Sequence, residues 1–265
     1  MSNYQFHFQK FSISQEHSAM KVGTDGVLLG AWARFQFDPT LNNIEPHLNH
    51  FEQPLNNIEQ TLNNIEPRIL DIGTGTGLIA LMLAQRYPNA IIDAIEIDHE
   101  AAEEARLNVE NSPWKHRINV IEISLQDYCT ELENEGQTSR FKYDFIVTNP
   151  PFYNATLKPE DESRAAARHY DSLPFSEITS FCDKFLNDKG LLAVIYPTNC
   201  EENIMLGVAS STLKYHTICD VLTKTNKPCK RRMVLLQKGS SPTLKKEAIS
   251  IRDQDNNYTK EYIEL

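Results

Sequence analysis

The chain has 265 residues, 40% of them apolar, and a formal net charge of −10. That length suits one large α/β domain or a domain with appendages, and the apolar share is enough for a core. Five scattered cysteines with no C-x-x-C pair argue against a disulfide framework or a zinc site and favour a reducing cytoplasm. Residues 1–8 have neither a basic nor an apolar leader region, and no apolar run reaches membrane-spanning length, so neither secretion nor a membrane is expected.

Residues 1–40 read as an N-terminal segment. Within it, Thr24 and Asp25 are placed to cap a helix over residues 26–34. Residues 41–67 carry an internal repeat. Leu41, Leu48, Leu55 and Leu62 recur every seven residues, and Ile44, Phe51, Ile58 and Ile65 follow each by three. Pro46, Pro54 and Pro67 oppose a coiled coil, since proline inside a helix costs ~3 kcal/mol. The segment is expected to be a low-complexity insertion with at most a few short helical turns.

Residues 68–240 alternate strand and helix. Strands are predicted at 68–71, 90–96, 118–123, 143–148, 190–196, 215–222 and 233–237, and helices at 75–86, 99–111 and 175–186. Strands separated by helices of this length give an α/β, doubly wound, mostly parallel seven-stranded sheet. Right-handed crossovers place the C-terminal ends of parallel strands on one edge. Residues 241–265 read as a tail.

Gly73, Gly75 and Gly77 follow the first core strand and open a helix, so the backbone can turn tightly and approach a ligand. A glycine loop alone also fits a dinucleotide. Here the spacing is G-x-G-x-G and Asp71 stands just before it. An acid there suits the cationic S-adenosylmethionine and repels a pyrophosphate. Glu96 ends the next strand, where an acid can accept from both ribose hydroxyls; Asp98 is the alternative, unless it caps the following helix. Asp127 is either an acceptor for the cofactor's adenine amino group or a helix-start acid.

Asn149, Pro150, Pro151 and Phe152 close the apolar run from Phe145 to Thr148. Two prolines cannot continue a strand, because each lacks the ladder N–H. The turn offers an amide, a free carbonyl and an aromatic ring together. Asn149 Oδ1 and the Pro150 carbonyl can accept both N–H bonds of a planar amino group while Phe152 stacks on its ring. With the glycine loop upstream, this points to methyl transfer from S-adenosylmethionine to an exocyclic or amide nitrogen. Between Val221 and Lys246 there are eight Lys or Arg and no acid, with Lys224, Lys227, Lys230, Arg231 and Arg232 the densest part. That stretch is either a polyanion footprint or a solvated basic tail.

Together the glycine loop, Glu96 and the Asn-Pro-Pro-Phe turn resemble the class I amino-methyltransferases. The stretch from Met20 to Trp32, containing Lys21, Val22, Gly23, Thr24, Asp25 and Gly26, is similar to the segment that precedes the core in bacterial tRNA1(Val) (adenine(37)-N6)-methyltransferases. Residues 163–169 and 227–232 extend the resemblance, which spans nearly the whole chain outside 41–67 and the C-terminal tail. The insertion is a departure from the family. The resemblance implies a Rossmann-like class I fold, S-adenosylmethionine as cofactor and tRNA as partner, with the N6 amino group of an anticodon-loop adenine as acceptor. It implies catalytic roles for Asn149, Pro150 and Phe152. Cofactor contacts fall to Thr24, Asp71, Gly73, Gly75, Gly77, Glu96 and Asp127, with the Thr24 segment either closing over the cofactor's methionine end, serving as a helix cap, or both. Substrate contacts fall to Pro151, Tyr153, Arg164, Arg168, Lys227, Lys230, Arg231 and Arg232; Arg164 and Arg168 share a helix face that grips phosphates or is merely solvated. No metal and no obligate protein partner are expected. Release-factor glutamine methyltransferases share the Asn-Pro-Pro-aromatic motif, and ribosomal guanine-N2 methyltransferases carry close relatives of it. The basic stretch favours RNA, and the Lys21–Gly26 segment favours the tRNA adenine family.

Overall fold

The structure, a computed structural model, describes residues 4–18, 21–36, 66–136, 141–151, 173–239 and 243–265. A small antiparallel hairpin, β1 (Gln5–His7) and β2 (Ser12–Ser14), precedes α1 (Thr24–Trp32). The core follows as β3 (Arg68–Ile72), α2 (Leu78–Arg86), β4 (Ile91–Glu96), α3 (His99–Glu110), β5 (Ile118–Glu122), α4 (Leu125–Asn134) and β6 (Tyr143–Thr148). Its second half is α5 (Phe175–Phe185), β7 (Leu186–Pro197), α6 (Glu201–Ala209), β8 (Leu213–Leu222), β9 (Arg231–Lys238), β10 (Lys245–Ser250) and α7 (Lys260–Ile263).

One eight-stranded sheet runs β5-β4-β3-β6-β7-β9-β8-β10. Every pairing is parallel except those that β9 makes with β7 and β8. β6 shows why the strands read as apolar runs. Tyr143 and Ile146 belong to one apolar layer, and Phe145 and Val147 to the other. From Phe145 on, successive side chains point to opposite faces, and helices cover both, so the strand is apolar on each side; a register shift between Tyr143 and Phe145 puts Tyr143 out of step, and the polar Thr148 is buried with its hydroxyl bonded. α1 and α2 supply one layer through Leu28, Leu29, Leu81 and Leu83. α4, α5 and α6 supply the other through Leu132, Phe181, Phe185 and Ile204.

α1 lies very close to α2. A Cβ on Gly30 would fall 2.6 Å from Met82 Sδ, so any other residue here would have to push the Met82 side chain aside. Arg86 then ties off the end of α1, with Nη1 donating to the Gly30 and Ala33 carbonyls (2.8 and 2.9 Å) and Nη2 to that of Ala31 (2.8 Å). These are carbonyls that a helix end otherwise leaves unpaired.

The seven predicted strands are present, and the sheet gains an eighth. Lys245–Ser250, expected in the tail, pairs along β8 as an edge strand. The helix expected from Gly75 begins at Leu78, because Gly73, Gly75 and Gly77 all have positive φ. Thr24 and Asp25 are not caps. They form the first turn of α1, whose N-cap is Gly23 without a side-chain bond. The hairpin, α4 and α6 were not predicted. The heptad insertion lies outside the described residues up to residue 65. Among the described residues, no helix is long and apolar enough to cross a membrane.

Candidate active site

β3 connects to β4 on one side, while β6 lies on its other side, so the crevice between β3 and β6 is a topological switch point. Ile72 pairs with Thr148, which puts the residues that follow, Gly73 and Asn149, level at the C-terminal edge. Thr148 Oγ1 donates to the Ile72 carbonyl at 2.9 Å and fastens the two strand ends.

The glycine loop has φ of +69°, +56° and +80° at Gly73, Gly75 and Gly77. Residues with a Cβ are strained there. Gly73 N and Thr74 N both donate to the Ile95 carbonyl at 3.0 Å, which draws the loop over the end of β4. A Cβ on Gly73 or Gly75 would meet nothing within 4 Å, so both positions border open space. A Cβ on Gly77 would lie 3.5 Å from Ala105 Cβ, so here glycine also lets α3 approach.

Asp71 is 0% exposed. Its Oδ2 accepts from Thr74 Oγ1 at 2.6 Å and Ala80 N at 3.1 Å. Its Oδ1 is buried with no hydrogen-bond partner among the described residues. Burial pushes the carboxyl up to about 7; the Thr74 and Ala80 bonds pull against that, and the charge of Glu96 adds to it. A buried acceptor without a partner is costly, and a cationic ligand group removes the cost. The loop therefore fits the ammonium of S-adenosylmethionine better than a phosphate.

Glu96 sits across the loop from Asp71. Its Oε2 accepts from Gly75 N at 2.8 Å, and its Oε1 accepts from Ile97 N and Asp98 N, both at 3.0 Å. Asp98 is taken up as the N-cap of α3, accepting from Ala101 N at 2.8 Å. Ile97, directly after Glu96 at the C-terminal end of β4, is 71% exposed, an apolar side chain on that edge to which the sequence assigned no role. Its place directly after a strand-ending acid was the available signal. Asp127 lies in the first turn of α4, where its N–H donates to Ser124 Oγ at 3.0 Å and its Oδ2 accepts from it at 2.7 Å. This is a reciprocal helix-start pair.

Asn149 is half-buried and Pro150 buried at the end of β6. The first turn of α1 packs there, with a Cβ on Gly26 falling 3.9 Å from Asn149 Nδ2. Thr24 is exposed on the same turn. Phe152, Tyr153, Arg164 and Arg168 lie outside the described residues.

The basic stretch divides in two. Pro197, at the C-terminal end of β7, pairs with Arg231 at the start of β9, so the connection from β8 to β9 sits on the same edge as Asn149. Two strand spacings, about 10 Å, separate β6 from β9. Lys227 and Lys230 are exposed there. Arg231 Nε donates to Asp25 Oδ2 at 2.7 Å, joining this connection to α1. Arg232 differs from the expectation of an RNA contact. Its Nε and Nη1 bind Asp220 and Glu201, each at 2.7 Å. Burial works against its charge, but these two carboxylates hold its pKa above the ordinary arginine value. Its guanidinium is already occupied. Lys238 and Lys245 pair with Leu213 and Thr217, further from the edge, and do not join the cluster.

Comparison with known proteins agrees with this geometry. The family model of the Methyltransferase small domain matches residues 55–167. Among solved structures, a predicted O-methyltransferase from Agrobacterium tumefaciens superposes with a TM-score of 0.58 at 19% identity, covering 74% of this chain and 86% of that one. The TYW2 protein of P. horikoshii in complex with MeSAdo gives 0.52 at 10% identity, covering 89% and 71%. These two show the fold alone. Curated relatives go further. The tRNA1(Val) (adenine(37)-N6)-methyltransferase of Christiangramia forsetii is 38% identical, over 100% of this chain and 97% of the relative. The proteins of that name from Flavobacterium psychrophilum and Trichodesmium erythraeum are also 38% identical, over 98% and 96%, and 100% and 97%, respectively. With that identity sustained end to end, and with the glycine loop and the Asn149 turn paired at one switch point, the chain belongs to the tRNA1(Val) (adenine(37)-N6)-methyltransferase family.

Proposed function

We propose that this protein transfers the methyl group of S-adenosylmethionine to the N6 amino group of an adenine in a tRNA anticodon loop, at position 37 of tRNA1(Val). The observation that carries this reading is the shared edge: the glycine loop, Asn149 and the Lys227–Arg231 connection all lie on it. When bound, the cofactor supplies an electrophilic methyl group on a sulfonium. Asp71 Oδ1 receives its ammonium, Glu96 its ribose hydroxyls and Asp127 its adenine amino group, while Gly73, Gly75 and Gly77 leave room for it and Thr24 borders its methionine end.

An adenine amino nitrogen is a poor nucleophile because its lone pair is delocalised into the ring. Asn149 Oδ1 and the Pro150 carbonyl accept its two N–H bonds, which pyramidalises the nitrogen and aims its lone pair. Pro151 stiffens the turn, and Phe152 and Tyr153 stack on the flipped base. The proton becomes acidic once the nitrogen is alkylated, so no strong base is required. Positioning and fixed dipoles do the work. Lys227, Lys230 and Arg231, with Arg164 and Arg168, hold phosphates. Five free cysteines, three of them buried, suit a cytoplasmic protein.

Incubation of the purified protein and labelled S-adenosylmethionine with bulk tRNA, ribosomes and release factors, each separately, followed by digestion of the labelled product, tests the reading. The expected product is N6-methyladenosine in tRNA. N2-methylguanosine or methylglutamine as the only product overturns it. Asn149→Ala should lower kcat by about 10²–10³-fold, the usual loss for one preorganised transition-state partner.

A further inference from the structure

We propose that Asn108 is a positioning residue that couples the cofactor loop to the N-terminal segment. It stands on α3 and is 3% exposed. Its Nδ2 donates to the Thr76 carbonyl in the glycine loop and to the Ser14 carbonyl, both at 2.9 Å. Its Oδ1 accepts from Ser14 N at 2.7 Å. One buried amide thus bonds to both segments, and both of its polar atoms are used.

One helical turn earlier on the same face stands Glu104, 4% exposed. Its carboxylate accepts from the consecutive backbone N–H groups of Glu16, His17 and Ser18, the last two at 3.2 and 2.9 Å. Residues 14–18 are therefore moored to α3 by two side chains. Ala105, between them, is the residue against which Gly77 packs. From Ser18 the chain returns, as Gln15 Oε1 accepts from Val22 N at 2.8 Å, and leads into α1, where Gly26 faces Asn149. Cofactor loop, N-terminal segment and catalytic turn form one connected body.

A ligand that holds the glycine loop fixes the Thr76 carbonyl. Asn108 cannot then swing without breaking its bonds, so Ser14 and the residues after it are restrained as well. Coupling is reciprocal: whatever loosens residues 14–18 weakens the ligand by the same factor. A residue that served packing alone would change stability without linking the two segments.

The proposal rests on the cofactor assignment above. Amide hydrogen exchange on the full chain, with and without S-adenosylmethionine, tests it. Exchange at Ser14, Glu16, His17 and Ser18 should slow on binding, together with the glycine loop. In Asn108→Ala, with Glu104 still holding residues 16–18, the extra slowing that cofactor binding brings to residues 14–18 should vanish, and the Kd for S-adenosylmethionine should rise about tenfold, the worth of one such hydrogen bond. An unchanged Kd in the folded variant overturns the proposal. So does wild-type protein that binds the cofactor and protects the glycine loop while residues 14–18 exchange as before, a result that needs no variant to fold. Wild-type protein that does not bind S-adenosylmethionine sinks the cofactor assignment first and this proposal with it.

Discussion

Gly26 of α1 faces Asn149 of the turn after β6 across a space that a single methyl group would fill: a Cβ built on Gly26 would lie 3.9 Å from Asn149 Nδ2 and 3.3 Å from Leu78 Cδ2. A side chain larger than a methyl group here would meet the amide. Gly26→Ala gains ~1 kcal/mol of helix propensity against a tight methyl contact, so its melting temperature should stay within a few degrees of wild type. Gly26→Val places a branched side chain against the amide. Its kcat should fall by about 10²-fold, since a displacement of ~1 Å costs that much, while its Kd for S-adenosylmethionine holds. Full turnover in folded Gly26→Val would show that the amide is not positioned from this side.

Glu96 holds the glycine loop as well as facing the crevice, because Gly75 N donates to it. Hydrogen bonds to a charged group are worth ~1.5–3 kcal/mol each. Glu96→Ala removes the proposed acceptor for the ribose and orphans that N–H, so the Kd for S-adenosylmethionine should rise by roughly one to three decades. Calorimetry with an unchanged Kd would transfer the role to another group; Asp98 is already committed to Ala101.

What the sequence disclosed depended on how locally each feature is encoded. β6 was legible because both its faces are buried and Pro150 and Pro151 end it. The glycine loop was legible because its backbone conformation demands glycine at three positions. β10 was not, since Ile249 is its one buried residue and the rest of an edge strand is solvated. The β1–β2 hairpin was missed because strands of three residues are too short to show a period. α4 was given no range, although Ser124 and Asp127 carry a capping-box signal and a helix start was one of the two readings of Asp127. The Asp25–Arg231 pair and the two bonds from Asn108 to Ser14 join residues far apart in the chain. Nothing local predicts them.

Asp71 should make cofactor binding depend on pH. Burial raises its carboxyl from the ordinary 3.8 to about 7. In the cofactor-free protein the native state then holds a proton that the unfolded chain has lost between those values. This contribution to stability is full below pH about 4 and disappears as pH rises through 7. Binding runs the other way, because a cationic ammonium needs the ionised form. Affinity should climb as pH rises toward 7, by at most tenfold per pH unit, and level off above it. Asp71→Asn should bind more weakly and show a flat profile. A flat wild-type profile over the same range would mean that Oδ1 does not face the ligand's charge.

Finally, the placement of the cations makes the RNA footprint testable residue by residue. Lys227 and Lys230 are exposed on the catalytic edge, whereas Lys245 and Lys246 begin β10, at the end of that strand away from this edge. Each phosphate contact contributes about −0.9 to the slope of log K against log salt for duplex nucleic acid and about −0.7 for a single strand. Replacing Lys227 and Lys230 together by Gln should weaken tRNA binding and flatten that slope by between one and two. The same change at Lys245 and Lys246 should leave both nearly as they were. Arg232→Lys should behave differently again. One ammonium cannot reproduce a guanidinium bridging Asp220 and Glu201, so the variant should lose melting temperature more than it loses salt dependence. If the two lysine pairs respond equally to salt, the phosphates do not follow the edge shared with Asn149, and the RNA lies on another face.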